Sequence, residues 1–167
     1  LAQSSMLNPQ VAYGADVITR IQQAVQGKLA QLTQLIRHAM TDLIQMVCDD
    51  AGISPQKVDV VSVVGNPAMQ QLFLGICPDN LSEVPFAPAL TEAKAVSCKE
   101  ILPICPAAQL LIVPDIAGFI GADTIGCLLA TKLYEDDALT LLVDIGTNGE
   151  MVLGNRNDML ACATAAG

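Results

Sequence analysis

A short segment near the end of the chain contains the residue types that bind phosphate groups and magnesium. In chain order these residues are Asp144, Gly146, Thr147, Asn148, Gly149 and Glu150. The two glycines are expected to let the backbone curl so that N–H groups face an anion, and the threonine and asparagine add side-chain donors. Asp144 is expected to hold a hydrated Mg²⁺, since this ion takes oxygen ligands and keeps several waters. Glu150 is expected to orient a water molecule or a transferred group.

The same segment is also compatible with an ordinary β-hairpin. The dipeptide Asn148-Gly149 favours the tight two-residue turns that connect antiparallel strands. Short motifs of this kind recur by chance in unrelated proteins. The turn on its own therefore leaves two interpretations open, a phosphate-binding loop and a plain hairpin.

Apolar runs on both sides of this segment predict the elements that hold it. Leu139 to Val143 predicts a buried strand that ends at Asp144, and a second strand extends to Leu153. Upstream, the run from Ile116 to Ala130 predicts a helix. Three glycines in it permit close approach of another backbone, although each costs roughly 1 kcal/mol of helix stability relative to alanine. These glycines are Gly118, Gly121 and Gly126. We therefore expect tertiary contacts to hold this helix.

Helical periodicity dominates the first third of the chain. A first helix is predicted to end near Gly27. Apolar residues from Lys28 to Ala51 recur three and four positions apart, which predicts a long amphipathic helix that Gly52 closes. The single histidine, His38, belongs to this helix beside Arg37 and is expected to be a partly exposed structural residue.

The middle of the chain predicts strands of a parallel sheet and a loop-rich excursion. The β-branched run Val58 to Val64 is nearly continuous in apolar character, which is typical of a strand that is buried on both faces. A short helix from Ala68 to Leu74 follows Pro67, whose missing N–H costs nothing in the first helical turn. Five prolines between residues 77 and 106 discourage long elements there. A short strand is predicted at Leu110 to Val113.

Composition and charge restrict the class of protein. A chain of 167 residues that is 52% hydrophobic and 15% charged can bury a core and is expected to be globular. Its net charge of -9, with eight Lys and Arg, argues against nucleic acid as a partner. Each apolar run is shorter than the roughly 18 residues of a membrane span, so no membrane partner is expected. The chain begins without an initiator Met or a signal-like segment, which suggests a start inside a longer cytoplasmic protein.

The six cysteines lack the spacing of a metal site. They are scattered along the chain, and none forms a Cys-x-x-Cys pair. Cys48 and Cys127 lie within apolar runs and are expected to be small buried hydrophobic residues in a reducing cytoplasm. A zinc site is therefore not expected.

Four blocks of sequence together resemble one family. The blocks are Asn8-Pro9-Gln10-Val11-Ala12-Tyr13-Gly14-Ala15-Asp16, Gly65-Asn66-Pro67-Ala68-Met69, Pro114-Asp115-Ile116-Ala117-Gly118-Phe119-Ile120-Gly121-Ala122-Asp123, and Asp144-Ile145-Gly146-Thr147-Asn148-Gly149-Glu150. They resemble the actin-like domain of the reductive activators of corrinoid proteins, in the superfamily of actin, sugar kinases and heat-shock chaperones. Residues 161–167 fit the same pattern, so the resemblance spans essentially the whole chain. Gln70 and Gln71 depart from it, since such proteins commonly carry His there.

The resemblance implies an α/β fold of the ribonuclease H-like, actin-like ATPase type. A mixed sheet flanked by helices is expected, truncated in this chain. Residues 1–135 would form the remainder of the first subdomain with its connecting helix, and residues 136–167 the start of the second subdomain with the phosphate loop. A first phosphate loop would lie upstream of Leu1 and an adenosine-binding segment downstream of Gly167. The chain alone is therefore expected to bind ATP weakly and not to hydrolyse it.

By the same resemblance, the intact protein would be an ATP-dependent reductive activator. Such proteins use ATP and Mg²⁺ to drive reduction of an inactive Co(II) corrinoid to the Co(I) form that methyl transfer needs. The electrons would come from a [2Fe-2S] ferredoxin-like domain outside this chain. The expected partner is a corrinoid iron-sulfur protein or a corrinoid methyltransferase component, and a homodimer is left open.

Two other classes of protein also fit the sequence. A small-molecule kinase of the same superfamily would share the turn that follows Asp144. A non-catalytic interaction module would instead dock a partner on the apolar stripe of the long helix, Lys28 to Ala51. A four-cysteine ferredoxin pattern in the parent sequence would favour the reductive activator over both.

Overall fold

The chain folds into helices that pack on two small sheets. The computed structural model describes residues 1–146 and 148–165. Its α-helices are α1 (Val17–Gln23), α2 (Leu29–Ala51), α3 (Pro67–Leu74) and α4 (Ala122–Thr131). A π-helical turn, Ala24–Lys28, joins α1 to α2. Each helix in the described part of the chain is too short or too polar to cross a membrane.

The strands form two separate three-stranded sheets. They are β1 (Val60–Val63), β2 (Lys94–Ser97), β3 (Gln109–Ile112), β4 (Thr140–Ile145), β5 (Asn148–Gly154) and β6 (Met159–Ala165). In the first sheet the central strand β3 runs parallel to β1 and antiparallel to β2. In the second sheet the central strand β5 is antiparallel to both β4 and β6. The predicted α/β class with a mixed sheet and flanking helices is confirmed.

The predicted long helix is confirmed as α2, and its apolar stripe supplies one side of the core. Gly27 has a φ of 93° where α1 gives way to α2, and Gly52 has a φ of 67° where α2 ends. Glycine adopts these left-handed conformations without the steric penalty of a Cβ atom. Leu32, Ala39 and Cys48 are buried along α2. The chain therefore covers much of this stripe itself.

The main hydrophobic core lies between the first sheet, α2 and α3. Phe73 enters it from α3, and Leu110 and Ile112 enter it from β3. The loop-rich segment before β3 closes the core with Leu90, Cys98, Leu102, Cys105 and Ala108. Burying a Leu or Phe side chain stabilises a fold by roughly 1.5–3 kcal/mol relative to leaving it exposed. This core therefore holds the first sheet and its helices together.

The expected burial of β1 on both faces is wrong for the described chain. Val61 and Val63 pack against the core, whereas Val60 and Val64 are 52% and 48% exposed. β1 lies at an edge of its sheet, and its residues alternate between exposed and partly buried. That alternation is typical of a strand with one covered face.

The predicted helix from Ile116 to Ala130 begins six residues later than expected, at Ala122. Ile116 and Ala117 instead enter a tight turn in which both N–H groups donate to the Ile120 carbonyl, at 2.9 and 3.0 Å. The reason is the crowding of this turn by other loops. A Cβ atom added to Gly118 would collide with the backbone oxygen of Phe86. The sequence did reveal that glycine was needed for close approach, but it placed that approach inside a helix.

The predicted strand-turn-strand is present as β4 and β5, but β4 is not the buried strand that was expected. Leu141, Val143 and Ile145 are 57%, 48% and 87% exposed on one face of β4. Val152 on β5 is the buried hydrophobic residue of this sheet within the described residues. Only one face of the sheet is therefore packed, and that face looks toward the rest of the chain.

Candidate functional site

The register of the β4–β5 hairpin places the two predicted catalytic carboxylates side by side. Asp144 pairs directly with Glu150 across the two strands. Residues opposite each other in an antiparallel pair project from the same face of the sheet. Asn148 lies two positions from Glu150 on β5 and therefore belongs to that face as well. Three of the predicted site residues thus share one surface.

The backbone at Gly146 and Gly149 differs from the predicted phosphate-binding curl. The Gly146 N–H donates to the Asn148 carbonyl at 2.9 Å, so this amide already has a partner. Neither Gly146 nor Gly149 adopts the left-handed conformation found at Gly27. The curl expected at these two glycines is not seen in this conformation. A hairpin does connect β4 to β5, but the predicted turn at Asn148-Gly149 is wrong, because both residues lie in β5 and Gly149 pairs with Ile145. The predicted donor Thr147 lies outside the described residues.

Gly149 has a packing role in the central strand. It pairs with Ile145 of β4 on one side and with Thr164 of β6 on the other. A Cβ atom added at Gly149 would lie 3.2 Å from the Cγ2 atom of Thr164. A larger residue at this position would therefore require the Thr164 methyl group to shift slightly.

A third carboxylate, which the sequence interpretation missed as a site residue, faces this pair. Asp123 lies in the first turn of α4. Burial raises the pKa of Asp123, and the charge of Asp144 raises it further. Burial also raises the pKa of Glu150, with added contributions from Asp123 and Asp144. Together with the direct pairing of Asp144 and Glu150, these effects indicate that Asp123 is a neighbour of the pair.

Positive side chains do not neutralise this acidic cluster within the described residues. The ion pairs there join Lys132 to Glu135 and Arg156 to Asp137, away from the cluster. Carboxylates that are partly removed from water and close together gain from a cation between them. The cluster formed by Asp123, Asp144 and Glu150 is therefore suited to a positively charged ligand.

Helix α4 contacts β4 and the residue that follows β1, next to this acidic cluster. The Cys127 thiol lies 4.0 Å from the Oδ2 atom of Asp144, within reach of a weak S–H···O hydrogen bond. On the first sheet's side, a Cβ atom added at Gly126 would lie 3.7 Å from the Cγ1 atom of Val64. Burial raises the pKa of the Cys127 thiol, with contributions from Asp144 and Asp123. The expectation that Cys127 is buried is thus only partly met, since this residue is half-buried and meets a carboxylate.

The four sequence blocks meet around a cleft beside the hairpin. A cavity of about 300 Å³ lies between Asn148 and Glu150 on one wall and Asp16 and Phe119 on the other. An adjoining, narrower space extends along the same wall to Asn66. Each of the four blocks therefore contributes to one cleft, although they are far apart in sequence.

Asp115 is a second acidic residue that the sequence interpretation missed. It is only 5% exposed, and neither carboxylate oxygen has a hydrogen bond of good geometry among the described residues, although the nearby Ala122 N–H lowers its pKa. Burial raises its pKa to about 7, and the nearby charge of Asp123 acts in the same direction. The sequence could have indicated Asp115 as a candidate site residue, because it follows a predicted strand and Pro114. Carboxylates often follow strand ends at functional sites.

The donor set fits a hydrated metal ion better than a directly bound one. Within the described residues, His, Cys, Asp and Glu side chains do not form a group of three that could hold a metal ion by direct coordination. Mg²⁺ keeps several waters and needs few protein ligands, so Asp144 with its acidic neighbours is consistent with it. The Asn148 side chain, in the wall of the cleft, is available as a donor toward an anion.

The fold and the acidic hairpin define an actin-like domain of the actin, sugar kinase and heat-shock chaperone superfamily. Family comparison agrees: residues 1–136 match the RACo middle region, and residues 138–167 match the C-terminal ASKHA domain of RACo. The chain belongs to the family of reductive activators of corrinoid proteins.

Two relatives support this assignment over nearly the full chain. The corrinoid activation enzyme RamQ of Eubacterium limosum is 36% identical over 170 residues, covering 100% of this chain and 28% of RamQ. A solved structure of a reductive activator for corrinoid, iron-sulfur protein is 34% identical with a TM-score of 0.90, covering 96% of this chain and 26% of the activator. The chain thus spans about a quarter of the length of these relatives.

Proposed function

We propose that this chain is the ATP-responsive part of a protein that reactivates corrinoid proteins by reduction. The observation that carries the proposal is the acidic cluster of Asp123, on α4, with Asp144 and Glu150, on the β4–β5 hairpin. Membership of the reductive activator family supplies the class of reaction. Residues 1–135 would belong to the first subdomain with its connecting helix α4, and residues 136–167 to the second.

Each side chain of the hairpin has a distinct proposed role. Asp144 would hold Mg²⁺ through the ion's waters, and Glu150 would orient the water that attacks the terminal phosphate. Asp123, on the facing helix, would add negative charge that favours the metal. Bound Mg²⁺ would neutralise charge on the phosphates of ATP during phosphoryl transfer to water.

The phosphates themselves would be contacted around the turn. Asn148 can donate from its side chain, and Gly146 can donate once its N–H exchanges the Asn148 carbonyl for a phosphate oxygen. Thr147 and Gly149 complete the proposed phosphate-binding set. Because the Gly146 amide must break one hydrogen bond to make another, nucleotide binding would be accompanied by a change in the turn.

Helix α4 could couple nucleotide binding at the hairpin to electron transfer elsewhere in the complete protein. It contacts β4 through Cys127 and lies close to Val64, the residue after β1, at Gly126, so a movement of the hairpin would reach the end of the first sheet. Hinged nucleotide enzymes use such closure to do work. The work here would drive one-electron reduction of a Co(II) corrinoid to Co(I). The electron would come from a [2Fe-2S] cluster outside this chain, and the partner would be a corrinoid iron-sulfur protein or a corrinoid methyltransferase component.

The experiment is a reduction assay on the complete protein with a Co(II) corrinoid protein and a one-electron donor. Formation of Co(I) is followed by its absorption spectrum with Mg-ATP, with Mg-ADP and without nucleotide. We expect reduction only with Mg-ATP, and a strongly reduced rate for Glu150→Gln. The surface change Glu135→Gln is the matched control and should leave the rate unchanged. Equal reduction with ADP would reject the proposal.

A small-molecule kinase is the second candidate, and one observation favours it. The cavity of about 300 Å³ beside Glu150 has room for a small acceptor such as a sugar or an acid. A kinase would place phosphate on that acceptor without any corrinoid protein. The interaction-module alternative lacks such support, because Leu32, Ala39 and Cys48 of the long helix are buried within the chain.

A further inference from the structure

Helix α4 presents two polar residues to the hairpin, one turn apart. Asp123 and Cys127 are four positions apart, so they lie on the same face of the helix. Asp123 interacts electrostatically with Asp144, and the Cys127 thiol lies 4.0 Å from the Oδ2 atom of the same carboxylate. We propose that Cys127 is a positioning residue that holds the Asp144 carboxylate for the Mg²⁺–nucleotide complex. This inference rests on the role of Asp144 in the proposed function.

The thiol is the one hydrogen-bond donor to the Asp144 side chain among residues 1–146 and 148–165. Without it, this carboxylate would be free to rotate among its rotamers. A thiol is a weak donor that carries no charge at neutral pH, so it can orient a carboxylate without competing with a metal ion for its charge. Asp123 cannot do this, because two carboxylates repel each other.

On the side of Cys127 that faces the hairpin, the contact between the thiol and Asp144 is the main interaction of this side chain. A cavity of about 420 Å³, lined by Ala130 and Leu141 among others, separates α4 from β4 around it. The opposite side of the helix is held close to Val64 at Gly126. The helix therefore fixes the position of the sulfur atom. The cavity beside the thiol indicates that Cys127 contributes little close packing on this side.

The test compares Cys127→Ala with Cys127→Ser in the complete protein. The serine variant keeps a donor at nearly the same position, and the alanine variant removes it. Mn²⁺ binding in the presence of ATP is measured from the electron paramagnetic resonance signal of free Mn²⁺. We expect Cys127→Ala to weaken Mn²⁺ binding about threefold to tenfold, as for the loss of one weak hydrogen bond. Cys127→Ser should restore it to within about twofold of the wild type.

The control variant is Cys48→Ala, which removes a buried thiol from α2. It should lower thermal stability without changing Mn²⁺ binding. A Cys127→Ala protein that binds Mn²⁺ with ATP as tightly as the wild type would overturn the inference. A serine variant as weak as the alanine variant would also overturn it, since packing rather than hydrogen bonding would then be responsible.

A second readout separates this inference from the proposed function. The S–H stretching band of Cys127, isolated by subtracting the infrared spectrum of Cys127→Ala, should shift when Asp144 is replaced by alanine. This measurement needs neither nucleotide nor metal. An unshifted band would refute the thiol–carboxylate contact even if the protein reduces corrinoid. A shifted band in a protein that binds no Mn²⁺ with ATP would confirm the thiol–carboxylate contact. The same result would reject the proposed function and overturn the positioning role of Cys127.

Discussion

The two sheets of this chain differ in how they are packed. The first sheet contributes most of the hydrophobic core, and the second carries the candidate catalytic residues. The first sheet carries a continuous core in which Leu102 and Leu110 are completely buried. The second sheet exposes one apolar face, where Ile145 is 87% exposed. The unpaired carboxylates lie where the second sheet meets α4. A well-packed region thus presents helix ends and loops to a more lightly packed hairpin.

The two glycine-containing loops repeat this contrast on a smaller scale. A Cβ atom at Gly121 would lie 2.5 Å from the Gly65 backbone oxygen, whereas at Gly146 the nearest atom would be 3.5 Å away. The loop before α4 is therefore fixed by contact with other loops. Gly146, in the hairpin, has more open space around it.

The largest expected effect comes from the hairpin. Asp144→Asn in the complete protein should abolish Mg-ATP hydrolysis, a loss on the order of a hundredfold or more, because the neutral amide no longer attracts the metal. Hydrolysis is measured by phosphate release. The exposed residue Asp59 offers a matched control, and Asp59→Asn should retain full activity. An equal loss of ATP hydrolysis in both variants would contradict a specific role of the hairpin.

The next effect concerns the core of the first sheet. Leu110→Ala should lower the free energy of unfolding by about 2–5 kcal/mol, because a fully buried side chain is replaced by a cavity. The same substitution at Leu139, which is 71% exposed, should cost less than about 1 kcal/mol in a chain of residues 1–167. Urea denaturation measures both values. Similar costs would mean that the exposed face of the second sheet is covered in solution.

A smaller effect distinguishes the two loops. Gly118→Ala should lower the free energy of unfolding by about 1–3 kcal/mol, because its Cβ meets the backbone of Phe86. Gly146→Ala should change stability by less than about 1 kcal/mol, yet weaken nucleotide binding. Thermal unfolding combined with a nucleotide titration gives both quantities. A Gly146 variant as unstable as the Gly118 variant would contradict the idea of an open turn.

The smallest expected effect, per pH unit, is a pH dependence of stability from Asp115. Its folded pKa of about 7 exceeds its ordinary value of 3.8, so the folded state binds more protons than the unfolded state between these values. The free energy of unfolding should therefore fall as the pH rises from about 4 to about 7, by at most about 1.4 kcal/mol per pH unit. Asp115→Asn should flatten this slope in urea denaturation, and Asp59→Asn should not. An unchanged slope in Asp115→Asn would show that the carboxyl is not the cause.

Local signals in the sequence predicted much of the fold. The periodicity of α2 and the closing Gly52 were read correctly, because both depend on residues close together in the chain. The hairpin was also predicted, as one of two interpretations, but its turn was placed at Asn148-Gly149, which belong to β5. Burial of β1 and β4 was overestimated, because apolar composition does not reveal which strand lies at an edge or which face stays open.

The site was predicted only in part, because its geometry depends on distant contacts. Asp144 and Glu150 were recognised from a motif, and the structure does pair them. Asp123 and Asp115 were missed because their burial and their neighbours arise only when α4 meets the hairpin. The start of α4 was misplaced for a similar reason, since the contact of Gly118 with Phe86 joins segments that the sequence does not relate.

The most direct test of the account is a calorimetric titration of Mg-ATP into the complete protein. We predict association at one site per chain in the wild type and its loss in Asp144→Asn, with unchanged thermal unfolding of the nucleotide-free variant. Unaltered Mg-ATP binding in Asp144→Asn, or no binding in the wild type, would contradict the assignment of the acidic hairpin as the nucleotide site.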